Sequence, residues 1–432
     1  MKKILVVALV LSILFITACS GGRRDADDLR FAWWGNPLRN QQTDDVLALF
    51  TQQTGIEVET MHGTFGEYWP MLATLAAAGN LPDVMQHDVA QLLWYQESNL
   101  LFDLRPFIAD GRINTSDVPV GILEQGRIGD GIYAIPIGMN MATMVYNREL
   151  LTQLGLTAPR NMTTEQFIAL SREIYQRSGV RTNWMANDPV NSLHAIMRGQ
   201  GVNVFERTPA GVWRLGGTPA NYQVFFEILH QGIQEGWHFR IEHWGGRDRF
   251  AMATDPFVYP PNIQANANLR SWVNINWAGA APALQHELGS EVGLTTLPSA
   301  NPAQSNFGRA SMFWAIPTHA NNPDAAAQLI NFFINNQAAN EIIMFDRGVT
   351  ANAVMLNTLS PRLDAVNRAA AEYTAWVNQP GNSSPFSALA PPGAIEFRNY
   401  LTLVADLVAT GQLTPAAAAT RIFNEGNAIL GR

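Results

Sequence analysis

The sequence predicts an α/β protein built as two lobes. Apolar runs of strand length alternate with helical patterns from residue 29 onward. A chain of 432 residues, about 410 of them beyond an N-terminal leader, exceeds what one hydrophobic core usually supports. Apolar content of 47% with 15% charged residues belongs to a well-buried globular chain.

The first run is Leu29-Arg30-Phe31-Ala32-Trp33-Trp34, which reads as a strand and stops at Gly35 and Pro37. A helix pattern with Val46, Leu49 and Phe50 follows, and Gly55 ends it. In open α/β sheets ligands bind beyond the carboxyl ends of the strands. Trp33 or Trp34, with Asn36 and Arg39 on the turn after them, are therefore candidate contacts for a flat, hydroxylated ligand. Strand alternation is expected to bury one ring and turn the other into a cleft. The competing role for Arg39 is an ion pair with Asp44 or Asp45.

The leader sets the compartment. Met1-Lys2-Lys3 is a basic start, and residues 4–16 form an apolar stretch too short to span a bilayer. Ile16-Thr17-Ala18-Cys19 looks like a lipobox, with Cys19, the only cysteine, as the atom donor for lipidation. Residues 1–18 then form a signal peptide and 19–28 a flexible tether. Both lysines lie in the leader, so the remainder carries 26 arginines against 36 acidic residues, a net charge of −10. Phosphate-loop and Schiff-base lysines are excluded, and nucleic acid is an unsuitable partner.

Further along, residues 56–61 alternate as a second strand, and a helix carrying Tyr68, Leu72 and Leu75 follows. Pro82 to Asp88 is a short strand ending in Gln86, His87 and Asp88, groups that can hydrogen-bond a ligand. Asp88 directly precedes a helix and is equally suited to capping it. Thr163 with Gln166 forms a capping box, and Thr218-Pro219 and Asn322-Pro323 start further helices. His62, His194 and His243 read as satisfied histidines, and Trp184 and Trp314 as weaker aromatic candidates.

The stretches WWGNPLRN, LAAAGNLPDVMQHD, DGIYAIPIGMN and MVYNRELL, in this order behind a lipobox, resemble the family 1 extracellular solute-binding proteins. The resemblance implies the periplasmic-binding-protein (type II) fold, two α/β lobes with a ligand cleft between them and hinge segments crossing from one to the other. It places the crossings at residues 137–146, 291–298 and 347–352. Lobe I then comprises 29–140 and 292–347, and lobe II comprises 141–291 and 348–432. It also implies site roles for Asn140 on the first crossing, for Trp277 as an aromatic of lobe II, and for Arg309 in the returning segment. Tyr68, Gln86 and Asp88 would contribute from lobe I. The implied ligand is a sugar, an oligosaccharide with uronate units being suggested by the similarity of residues 33–39. The implied partners are this ligand and the permease subunits of an ABC importer, with a lipid anchor at Cys19, a monomeric state and no cofactor or metal.

Sequence motifs for catalysis are absent: GxSxG, HExxH, CxxC and GxGxxG do not occur. The alternative is a secreted glycoside hydrolase or polysaccharide lyase, since two carboxylates suffice for glycoside hydrolysis. Asp88 with Glu67 or Glu396 would be the pair. The anchor gives the first test: Cys19→Ser should leave the fold intact and release the protein from membranes, read by fractionation. A variant that stays membrane-bound contradicts lipidation at Cys19.

Overall fold

The computed structural model describes residues 28–35, 37–185, 189–244, 255–258, 269–379, 381–384 and 391–431. The signal peptide, Cys19, the tether up to residue 27, and Asn36 lie outside these residues. Two five-stranded sheets organise the described chain. The first has the order Val58–Gly63, Leu29–Trp34, Val84–His87, Phe313–Ala315, Ile135–Pro136. Its first three strands are parallel and the last two join antiparallel.

Strand Leu29–Trp34 lies inside this sheet, and both of its faces are covered. Phe31 and Trp33 pack with Val46, Phe50 and Phe333 on one face. Ala32 and Trp34 pack with Tyr68, Leu72 and Tyr95 on the other. A continuous apolar run, as opposed to a period-two alternation, is the pattern of a parallel strand buried on both sides.

The second sheet is arranged around one long strand, Gly138–Asn147, to which four others pair antiparallel. Val273–Trp277 and Val292–Thr295 flank its carboxyl half, while Gly308–Ala310 and Val349–Thr350 pair with its amino half. Below it lies a second core, where Met144, Phe167, Trp184, Phe225 and Trp272 meet Phe397 from a C-terminal helix. The capping signals act as read: Thr163 and Gln166 form the reciprocal box on helix Thr164–Ser178. The Asn322 side chain accepts from the Ala325 amide at the start of helix Pro323–Asn335.

One expected boundary is displaced. The resemblance implies that segment 291–298 returns into the first lobe, but Val292–Thr295 pairs with Met144–Asn147 inside the second sheet. The chain re-enters the first sheet only at Phe313–Ala315, so the return runs through residues 308–315. All three crossings meet at one point. The Ser311 amide donates to the Gly138 carbonyl (2.8 Å), the Ile137 amide to the Met312 carbonyl (3.0 Å) and the Ala351 amide to the Ile137 carbonyl (3.1 Å). The Ser311 hydroxyl donates to the Arg347 carbonyl.

Gly138 occupies the centre of this junction. A Cβ there would sit 2.9 Å from the Arg347 carbonyl oxygen and 3.0 Å from that of Val349, and neither backbone atom can move aside cheaply. Gly138→Ala should therefore destabilise the protein by about 1–3 kcal/mol, the usual cost of overpacking. Denaturant unfolding checks this, and a variant of unchanged midpoint contradicts the tight junction.

Candidate ligand-binding site

A cavity of about 770 Å³ opens between the two sheets, within the usual range of roughly 300–1,000 Å³ for ligand pockets. The first sheet contributes from the carboxyl ends of its strands. Phe65 begins the helix after Val58–Gly63, and Asp88 begins the turn after Val84–His87. From the other side come Trp277 at the end of its strand, Phe307 and Arg309, helix Pro189–Gly199 and helix Ala394–Ala409.

Asp88 caps its helix and stands at the cavity wall. Its Oδ1 accepts from the Ala90 and Gln91 amides, each at 3.0 Å, and the residue lines the cavity. Burial pushes its carboxyl above the usual carboxylate range, against the opposing pull of Arg309. Trp277 and Arg309 are brought together: the guanidinium lies 4.3 Å from the indole centroid. That contact, worth about 0.5–2 kcal/mol, covers one ring face with a cation. The Phe307 ring stands at 89° to Trp277, and Arg198 lies 5.2 Å from the Phe307 centroid.

The other expected contacts lie elsewhere. Trp33 is fully buried and Trp34 nearly so. Trp33 donates its indole N–H to Asn40 (2.9 Å), and Trp34 packs beneath Phe65, at 5.5 Å, so neither ring looks into the cleft. Asn36 is outside the described residues. Arg39 pairs with Asp346 (2.5 Å) and also donates to its carbonyl, so the expected pairing with Asp44 or Asp45 is not its main one. Helix Pro37–Thr54 packs against helix Gln337–Ile343, and Arg39, in its first turn, is not among the residues lining the cavity.

Tyr68 is buried, donating to the Gln86 carbonyl (2.8 Å). Gln86 is buried as well, donating to the Trp34 carbonyl and accepting from Arg347 Nε (3.0 Å). Asn140 sits opposite Arg309 in register and accepts from the Gly279 amide (3.1 Å), a backbone-holding role. Trp184 and Trp314 are fully buried. Glu67 is engaged in the capping box with Thr64, and neither it nor Glu396 lines the cavity with Asp88, so the proposed catalytic pair is not assembled.

Sequence reasoning missed Phe65, Arg198, Arg398 and Phe307, and set His194 aside. A signal existed for part of this. Apart from Ser192, which bonds the Trp184 carbonyl, the polar residues of helix Pro189–Gly199 are Asn191, His194 and Arg198, a spacing that places all three on one face.

A family profile described as bacterial extracellular solute-binding protein matches residues 45–375. The chain belongs to that family. Solved structures agree in fold. A family 1 extracellular solute-binding protein from Alicyclobacillus acidocaldarius superposes with a TM-score of 0.75 at 21% identity, covering 94% of this chain and 98% of that one. A periplasmic solute-binding protein from Pectobacterium atrosepticum gives 0.78 at 19% identity, covering 93% and 98%. A periplasmic oligogalacturonide-binding protein from Yersinia enterocolitica, in complex with saturated digalacturonic acid, gives 0.74 at 19%, also covering 93% and 98%. The solute-binding protein thus has the two-lobed α/β architecture of its family. Among its described residues no helix is long and apolar enough to cross a membrane.

The division between core and cleft aromatics is testable by stability. Trp33→Ala should cost about 3–5 kcal/mol, as large-to-small changes in cores do. Phe65→Ala, with a residue 53% exposed, should cost less than about 1 kcal/mol. Equal losses in denaturant unfolding would contradict the assignment.

Proposed function

We propose that this solute-binding protein captures an acidic oligosaccharide of the oligogalacturonide kind in its cleft and delivers it to the permease of an ABC importer. The observation that carries the reading is electrostatic. Among the described lining residues three arginines, Arg198, Arg309 and Arg398, face one carboxylate, Asp88, although the whole chain has a net charge of −8. A cation-lined cleft in an acidic protein focuses anions toward the cleft. Planar guanidinium groups pair with carboxylates through two parallel hydrogen bonds. The rings of Phe65, Phe307 and Trp277 supply apolar surface for the C–H faces of sugar rings.

The oligogalacturonide complex of the Yersinia protein, which shares the fold, supports the same ligand class. Lipidation at Cys19 would hold the protein at the outer face of the cytoplasmic membrane, a location compatible with the family's description as extracellular. Closure is a rotation of the lobes about the junction of the three crossings. A ligand touching Asp88 and Phe65 on one lobe and Arg198 on the other favours the closed state by its differential contacts.

Calorimetry with digalacturonate and with the neutral disaccharide galactobiose tests the reading. Digalacturonate is expected to bind and galactobiose to bind far more weakly. Arg309→Gln should weaken digalacturonate by about 1.5–3 kcal/mol, the worth of a hydrogen bond to a charged group. Tight binding of galactobiose without binding of digalacturonate would overturn the acidic ligand and leave a neutral sugar.

A further inference from the structure

We propose that helix Pro189–Gly199 reads the hydroxyl groups of the bound sugar through Asn191 and His194, beside a carboxylate held at Arg198. The proposal rests on the acidic-sugar reading and assigns the polar contacts of the second lobe within it.

Asn191, His194 and Arg198 are spaced three and four residues apart, so they lie within a narrow arc of one helical face, and all three line the cavity. Asn191 is only 4% exposed, and its amide nitrogen has no hydrogen-bond partner. The buried Nδ1 of His194 has none either. Buried polar groups in native proteins are nearly always satisfied, so two neighbouring exceptions facing one cavity mark a place where something else completes them. A sugar hydroxyl both accepts and donates, so it can take a hydrogen from the Asn191 amide and give one to the His194 nitrogen.

The His194 ring is fixed for this task. It packs against Phe205 (5.7 Å) and Phe307 (5.4 Å), two aromatics from different segments. The charged groups around it are Arg198 on its own helix, Arg309 from strand Gly308–Ala310, Arg398 from helix Ala394–Ala409 and Asp88 across the cleft. Burial, with the charges of Arg198 and Arg309, lowers its pKa to about 3. The imidazole is therefore uncharged at any working pH, and it pairs with hydroxyls while the arginines meet the acid. Arg198 itself is oriented by Ser384, whose hydroxyl accepts from its Nη1.

The test uses full-length protein and titration calorimetry with digalacturonate, at pH 5.5 and 7.5, in two buffers of different ionisation enthalpy. Thermal melting checks that each variant is folded. Asn191→Leu and His194→Leu should each weaken binding about tenfold or more, while His194→Gln, which keeps a hydrogen-bonding nitrogen, stays within about threefold of wild type. Wild-type binding should take up no proton between the two pH values. Folded leucine variants that bind like wild type would overturn the proposal, leaving water as the partner of both groups. Proton uptake on binding that disappears in His194→Gln would overturn the uncharged role. If wild type binds galactobiose and not digalacturonate, the acidic-sugar reading fails alone, and the same variants titrated with galactobiose decide the hydroxyl contacts. Binding of neither sugar overturns both.

Discussion

Everything in this molecule depends on the point where the chain passes between its sheets. Gly138, Ser311 and Arg347 come from three distant segments and are hydrogen-bonded at one small junction, the Ser311 amide donating to Gly138 and its hydroxyl to Arg347. Gly348 has φ +96°, a conformation open to glycine, and a Cβ there would lie 2.7 Å from the Ser311 hydroxyl. Because the backbones approach so closely, the strand Gly138–Asn147 can begin beside the first sheet and end as the spine of the second. The cavity is the space this single strand leaves between two independent cores. On the proposed closure, a hinge made of these few closely packed backbone segments would let the lobes move as bodies without disturbing their cores.

The cleft's chemistry follows from which atoms the two cores release. The first lobe keeps Trp33, Trp34 and Trp314 inside and offers Phe65 and Asp88 from strand ends. From the second lobe come cations stacked on aromatics, Arg309 on Trp277 and Arg198 beside Phe307. Stacking holds these guanidinium planes against the rings at the cavity wall, where Asp88 is the one lining carboxylate among the described residues. A partly desolvated guanidinium is costly to keep; burial lowers the pKa of Arg198 to about 10, which still leaves it charged at neutral pH. The apolar and cationic surfaces alternate, as a sugar acid's C–H faces and carboxylates do.

The fold was largely legible in the sequence because local signals and global structure agree. The strand 29–34, the capping box at Thr163 and Gln166, and the Asn322 cap all formed as their residues dictate. The return crossing was misplaced because Val292–Thr295 and Phe313–Ala315 have equally strand-like sequences, and only the partner strand distinguishes them. The site was less legible for a related reason. Trp33 and Trp34 stand at the carboxyl end of a strand, where ligands bind, but the same apolar run carries the signature of burial on both faces. Burial decided both rings. Asp88 was within reach because it follows a strand, and Trp277 and Arg309 because the family resemblance marks their segments. For Arg198 the sequence held only the polar stripe on its helix, and Arg398 had no such mark, because both enter the cavity from helices whose orientation is fixed by packing against a core distant in sequence.

The most direct measurement of the central claim is a crystal structure of the protein grown with digalacturonate. The sugar is expected between the lobes, with a carboxylate within hydrogen-bond distance of Arg309 or Arg198 and a ring against Phe65, Phe307 or Trp277. A sugar seated with its carboxylates toward solvent, or bound near Arg39 outside the cleft, would contradict the cation-lined cleft as the recognition site.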